Sequence, residues 1–280
     1  ISGADSEAVA LLRLWKAQDI RNFDMKLFSQ GQYIKAVEEN TNAQTISKVL
    51  YPADNHTEGK LLRLSQQYFL ASASIQTIFS DHIDTYKTLS TLPDKAAIHI
   101  NDTHPALVIP EMMRLLMDVY GYSWDSAWSI VCRTVSYTNH TVMPEALECW
   151  NEDLFKLRLP RIYGIIHEIN ERFCRQAWAK FPGNWDRISA MSVICRQQVR
   201  MANLSVIGSH TINGVSSLHS EILKKTVFKD FYAMYPDRFT NVTNGIAHRR
   251  WLCYSNKPLA SLIDECIGPD YKKQPEKLEE

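Results

Sequence analysis

Four times along this chain a short apolar run ends in a cluster of hydrogen-bonding side chains, and no other feature limits the fold as sharply. Residues 96–100 run into Asn101, Asp102, Thr103 and His104, and a helical pattern follows over 105–119. Residues 134–137 lead to Thr138, Asn139 and His140, with Pro144 opening the next helical stretch. Residues 204–207 lead to Gly208, Ser209 and His210, ahead of a helix over 214–227. Residues 239–242 lead to Thr243, Asn244 and Gly245. Strands alternating with helices predict an α/β fold, a parallel sheet covered on both faces. The carboxyl ends of parallel strands emerge along one edge, where such folds bind ligands. The four clusters are therefore expected on one rim.

The rest of the pattern is mainly helical. Residues 61–88 carry apolar residues mostly on one face, as a long helix requires. A Trp-bearing helix is expected over 123–133 and another long one over 159–180. Residues 32–40 and 43–50 read as two short helices, and 50–60 as a loop rich in Pro, Asp, Asn and Gly. Residues 8–17 are apolar and fit helix or strand equally.

Composition narrows the ligand. Lys plus Arg and Asp plus Glu both number 31 in 280 residues, so no net charge favours nucleic acid or an anionic membrane. With 45% hydrophobic residues a full core is expected. The six cysteines contain no CxxC pair and read as reduced residues of a cytosolic protein. Asn-x-Ser/Thr sequons occur at Asn55, Asn101, Asn139, Asn203 and Asn241, but no secretory leader is visible to make them glycan acceptors.

Each candidate residue has a structural alternative. Thr103 fits a helix cap as well as a ligand contact. Asp102 and His104 together favour ligand contact at a strand end. His140 lies between Asn139 and Thr141, good turn residues, so a structural role is the better reading. His210, bracketed by Gly208 and Gly214, reads as a ligand contact, while His219 lies mid-helix and reads as core or surface. Asp54 and Asn55 sit on a loop that is either a solvated turn or a gate over a cleft. No GxGxxG, P-loop, GxSxG or HExxH is present. Asp102, His104, His140 and His210 would be the ligands of a metal-dependent hydrolase, but no spaced set of three or four ligands stands out. Amides, hydroxyls, imidazoles and one or two carboxylates better match a polyhydroxylated ligand.

Six blocks then carry a resemblance: "LLRLWKA", "KVLYPADNHTEGKLLRLSQQYF", "INDTHPALVIPEMMRLLMD", "YTNHTVMPEALECW", "GSHTINGVSSLHSEIL" and "FTNVTNGIAHRRWL". In content and order they resemble the α-glucan phosphorylases, the family of glycogen, starch and maltodextrin phosphorylases. "GIAHRRW", with Ala247 and His248 in place of a Thr-Pro pair, is similar to bacterial members. The resemblance implies two Rossmann-like domains with the active site between them. It implies phosphorolysis of an α-1,4-glucan by inorganic phosphate, giving glucose 1-phosphate with retained configuration. It also implies a lysine-bound pyridoxal phosphate whose phosphate group relays the proton, a homodimer, and a cytoplasmic location.

On this resemblance residues 1–280 correspond to the later part of an N-terminal domain. His210, with Thr211 beside it, would contact the glucosyl 6-hydroxyl. Asp102 and His104 would line the sugar pocket, and Asp54 and Asn55 would lie on the gate loop. Ala53 and His56 depart from the regulated animal enzymes, which argues against an allosteric gate here. Arg249 and Arg250 match a structural motif. The cofactor lysine, the phosphate-holding residues and the glycine-rich loop would lie outside this sequence, and no catalytic, cofactor or metal residue is assigned within it. The piece alone is therefore expected to be inactive. The alternative is a non-catalytic glucan-binding or scaffold domain.

Overall fold

The structure, a computed structural model, describes residues 7–20 and 23–279. These form two compact units, Trp15–Val242 and a smaller one made of the described residues up to 14 together with those from 243 onward. In the larger unit α1 (Met25–Ser29), α2 (Tyr33–Lys48), α3 (Thr57–Tyr86) and α4 (Leu92–Lys95) precede β1 (Ile98–Asn101). Then follow α5 (Val108–Arg114), α6 (Trp124–Thr134), β2 (Val135–Thr138), β3 (Cys149–Asn151), α7 (Glu152–Arg158), α8 (Pro160–Lys180) and α9 (Trp185–Met191). The unit closes with β4 (Ile194–Cys195), β5 (Gln198–Arg200), α10 (Met201–Gly208), β6 (Ile212–Gly214), α11 (Ser217–Ile222), α12 (Lys229–Met234) and β7 (Phe239–Asn241).

The main sheet has the order β1-β2-β6-β7, with every pair parallel. β3, β5 and β4 make a separate antiparallel sheet. The expected α/β architecture is therefore present. The helices start and stop for local reasons. The His56 imidazole accepts from the Gly59 amide at 2.9 Å and so caps α3. Lys87, at φ +62°, ends it with a left-handed residue whose N–H returns to Ile83 O. Ser123 caps α6, and Pro160 occupies the first turn of α8.

Four local expectations are corrected. Residues 33–48 form one helix rather than two. Residues 8–17 form neither helix nor strand apart from an isolated bridge at Val9. Pro144 opens only a 3₁₀ turn, Pro144–Ala146. Most consequentially, the apolar run 204–207 belongs to helix α10 and not to a strand. All eight residues of α10 are buried, so it is apolar on every side and shows no amphipathic period. Its two polar side chains are satisfied internally: the Asn203 amide donates to Ala190 O and Ser192 O, and Ser205 to Met201 O. The strand comes after the "GSH" cluster, not before it.

Helix α5 runs through the middle of the core, with Ile109, Met112 and Met113 wholly buried. It packs against α3, α6 and α8. It also carries the fully buried Glu111, whose carboxylate accepts from Tyr68 at 2.9 Å, from Ser72 at 2.7 Å and from both Nε and Nη2 of Arg114 at 2.8 Å. Burial and the adjacent carboxylate push the Tyr68 phenol up to about 12. In the smaller unit, α13 (Lys257–Ile267) is capped by Asn256 and ends at Gly268, φ +79°. Buried Tyr271 donates to Ala260 O at 3.4 Å, and Arg249 donates to Lys272 O at 3.1 Å, a structural use of the first arginine in "RRW".

The four bonds to Glu111 set a stability prediction. Glu111→Ala strands a guanidinium and two hydroxyls that now share one carboxylate. Urea unfolding should show a loss of about 3–5 kcal/mol, as for one partner removed from a buried ion pair.

Candidate functional site

The carboxyl ends of β1 and β2 place the first part of the site. β1 stops at Asn101, and Asp102 turns away with φ +59°, a conformation Asp and Asn tolerate better than other side chains. The ladder still holds Asp102, because its N–H donates to Thr138 O at 2.9 Å. Its carboxylate accepts from the Thr103 amide at 2.6 Å and from the Thr141 hydroxyl at 3.4 Å. His104 follows in an exposed turn that precedes α5, so Pro105 lies in this turn and not at the first helical position as the sequence suggested.

β2 ends beside it. His140 leaves the sheet exposed, with its Nε2 2.6 Å from Asn101 Oδ1. The turn role expected of His140 falls instead to Asn139, which is wholly buried. The Asn139 amide donates to the Tyr137 hydroxyl at 2.9 Å, and its Oδ1 accepts from the Thr141 amide at 2.9 Å. His219 completes this network. Its Nδ1 accepts from the Val215 amide at 3.1 Å, so the proton sits on Nε2, which donates to Asn139 Oδ1 at 3.2 Å. Burial, and then the nearby His140, hold the His219 imidazole below its ordinary pKa, in keeping with a neutral ring. Thr138 donates to Asn213 Oδ1 at 2.7 Å, tying the end of β2 to β6.

A cleft of about 390 Å³ opens beside Asp102. Asp102, Thr103, His104, Thr141 and Glu148 line it from the sheet edge, and Asp54, Lys60 and Arg63 from the loop and first turns of α3. Trp150, Asn151 and Gln198 close it from the antiparallel sheet. Arg63 joins these parts, reaching Asp54 Oδ2 at 2.5 Å and Glu148 Oε1 at 3.5 Å. Glu148 also accepts from Thr103 at 2.9 Å and from Gln67 at 2.8 Å. Gly59 lets the loop lie close, since a Cβ there would meet Ala53 O at 1.8 Å. The Trp150 indole N–H is buried without a hydrogen-bond partner. Asn55 is exposed on the same loop as Asp54.

His210 and Thr211 lie elsewhere. The His210 N–H donates to Val135 O, at the start of β2, whereas Asp102 pairs with Thr138 at its end. Three strand residues separate those points, about 10 Å at roughly 3.3 Å per residue. His210 therefore stands at the amino edge of the sheet, with its Nδ1 2.8 Å from the Thr211 hydroxyl. Burial and the Arg238 charge depress its pKa. The displacement follows directly from α10 being a helix. Of the four polar clusters, those at 101–104 and 138–140 share the rim. Asn241 ends β7 on that same edge, while 243–245 belong to the smaller unit.

Sequence reasoning missed Arg63, Glu148 and the network around His219. Arg63 is about two helical turns past the loop it holds, and Glu148 lies 45 residues beyond Thr103, its partner. Only the spacing of Asp54 and Arg63 across a helix start carried any local signal. Among the described residues no group of three His, Cys, Asp or Glu side chains is arranged to hold a metal. No described helix is long and apolar enough to cross a membrane.

Comparison with known proteins adds an independent line. A family described as carbohydrate phosphorylase matches residues 1–280. The glycogen phosphorylase of Bacillus subtilis (strain 168) is 49% identical over 99% of this chain and 34% of its own length. That of Chlamydia trachomatis is 48% identical over 97% of this chain, and the human muscle form 47% over 97%, each over 34% of its own length. The chain thus spans about a third of the length of the curated relatives it matches.

The His219 network sets a pH prediction. A depressed folded pKa means that the unfolded state binds more protons once pH drops below 6.5. Stability should be at its full value above that pH and fall as pH drops through it. His219→Gln, which keeps an amide donor without a titrating group, should show a shallower loss between pH 7 and 5 in urea melts.

Proposed function

The chain belongs to the carbohydrate phosphorylase family, and we propose that its cleft is the glucosyl-binding part of an α-1,4-glucan phosphorylase active site. The observation that carries this is the chemistry of the rim. Uncharged donors and acceptors (Thr103, Thr141, Asn151 and Gln198) and the His104 imidazole stand among three carboxylates, Asp54, Asp102 and Glu148. A sugar offers many neutral hydroxyls, and a site that leaves any of them unmatched loses about 1–3 kcal/mol for each. The carboxylates suit a glucosyl unit whose ring gains positive charge as the glycosidic bond breaks.

Asp102, His104 and Asp54 line the cleft and keep their proposed places around the sugar, with Asn55 beside Asp54 on the loop. His104 is the imidazole that lines the cleft, while His210 lies at the amino edge of the sheet. Asn139 and His219 hold the turn that brings Thr141 to the cleft wall. Asp54, tied to Arg63, lies where a loop movement would open or close the cleft.

The same residues do not fit pyridoxal phosphate or orthophosphate. Lys60 and Arg63 face three carboxylates, and Arg63 is already shared by two of them. A dianion there would meet excess negative charge. Cofactor, phosphate and proton relay are therefore assigned to chain beyond these 280 residues, in a protein about three times as long. In that protein the reaction would yield glucose 1-phosphate from a glycogen- or maltodextrin-like glucan.

Two measurements test this reading. The purified 280-residue chain, given maltoheptaose and phosphate, should release no glucose 1-phosphate, and clear turnover would overturn the division of labour. In the full-length protein His104→Ala should lower kcat/KM by about 1–3 kcal/mol of transition-state stabilisation, and an unchanged kcat/KM would remove His104 from the site. A full-length protein that binds glucan without turnover would instead mark a scaffold.

A further inference from the structure

A pair of cysteines away from the rim cleft differs from the others. Cys195 ends β4, and the next two residues, Arg196 and Gln197, form an exposed turn with φ +50° and +58° before β5 returns. Two positive φ values suit the tight turn of a two-residue hairpin and keep Cys195 at its edge. The Cys195 sulfur is partly exposed and lies 3.2 Å from the Ser189 hydroxyl. Arg200 is pinned beside it, donating to Ser189 O at 2.7 Å and Ala190 O at 3.0 Å.

Cys174, on α8, is anchored to the same hairpin through one atom. Its sulfur is 3.8 Å from Asn170 Oδ1. That oxygen also accepts from the amides of Val193 and Ile194, at 2.9 and 3.1 Å. One oxygen thus ties the second thiol to the backbone of Ile194, the residue before Cys195, and the two sulfurs are near enough for Cys195 to act electrostatically on Cys174.

We propose that Cys195 is a peroxide-reactive thiol and that Cys174 resolves it to an intramolecular disulfide. The electrostatics run the right way. Burial alone would raise the Cys195 thiol, but the Ser189 bond, Arg200, Ser192 and Arg196 together bring it below its ordinary value. Burial, Glu171 and Cys195 itself raise the Cys174 thiol. One sulfur is thereby easier to ionise than a free thiol, and the other harder. Desolvation pushes half-buried Cys132 up to about 12, and Cys149 is also raised by desolvation.

In the first step the Cys195 thiolate attacks one oxygen of hydrogen peroxide. An S–O bond forms, the O–O bond breaks, and hydroxide takes up a proton to leave as water. In the second, the Cys174 sulfur attacks the sulfenic sulfur. An S–S bond forms and the S–OH oxygen leaves as a second water. Two thiols are oxidised by two electrons, and one peroxide is reduced. The link would fasten α8 to the hairpin that carries Gln198, one wall of the rim cleft.

The test uses the reduced full-length protein. Limited iodoacetamide followed by peptide mapping should label Cys195 before the exposed Cys149 and Cys266. Equimolar hydrogen peroxide should then give a Cys174–Cys195 linked peptide, reversed by dithiothreitol. In Cys174→Ser the sulfenic acid should persist and be trapped by dimedone at Cys195. Labelling of Cys149 or Cys266 ahead of Cys195 would overturn the proposal. So would peroxide treatment that gives no linked peptide in the native protein, or no dimedone adduct in the variant.

Discussion

The buried carboxamide of Asn139 is the interaction on which the rim depends. It stands where β2 leaves the sheet, with no access to water, and its backbone N–H and both polar atoms of its side chain are hydrogen-bonded. Its backbone N–H extends the ladder to Asn213, its side-chain amide holds Tyr137, and its carbonyl oxygen gathers Thr141 and His219. A buried amide left unpaired would cost more than one paired bond returns, so the network holds as a unit or fails as one. Because Asn139 is fixed, the residues on either side of it are aimed. His140 is directed to Asn101, and Thr141 to Asp102. A turn that looks like a connector thereby sets the position of the residues that would meet the sugar.

Much of this was legible in the sequence where local pattern and tertiary need agree. The run before Asn101 and the run before Thr138 are short, apolar and followed by turn residues, and both proved to be parallel strands in register. The helices expected over 123–133 and 159–180 are also present, one opened by a Ser123 cap and the other by Pro160. The run at 204–207 failed because periodicity vanishes in an element buried on all sides. A completely enclosed helix and a central strand look alike over four residues. That single ambiguity moved His210 to the wrong edge. The turn expected around His140 is present, built by Asn139 and Thr141, and it leaves the imidazole exposed beside Asn101.

The long-range partners were illegible for a different reason. Thr103 and Glu148, or Asn139 and His219, meet only after the sheet and helices have assembled, and nothing within a window of residues links them. Glu111 is the extreme case. A charged residue in an apolar helix reads as a surface position, yet here it lies in the core with a guanidinium and two hydroxyls on its oxygens. Only the identity of the surrounding residues, at helical spacings from Tyr68 to Ser72 and from Glu111 to Arg114, hints at it.

The charge distribution of the cleft bears directly on the proposed function. Carboxylates and a bare phosphate repel one another across a few ångströms, and low dielectric sharpens that repulsion. On the proposed reading, acidic and basic groups would have to stay apart until the substrate lies between them, and the cleft would supply the acidic face. Asp54, Asp102 and Glu148 are gathered there, with Arg63 spent on neutralising two of them. The strained backbone at Asp102 fits the same logic: about 1–2 kcal/mol of left-handed conformation is tolerated where it turns a carboxylate into the cleft, and the ladder bond to Thr138 holds it there.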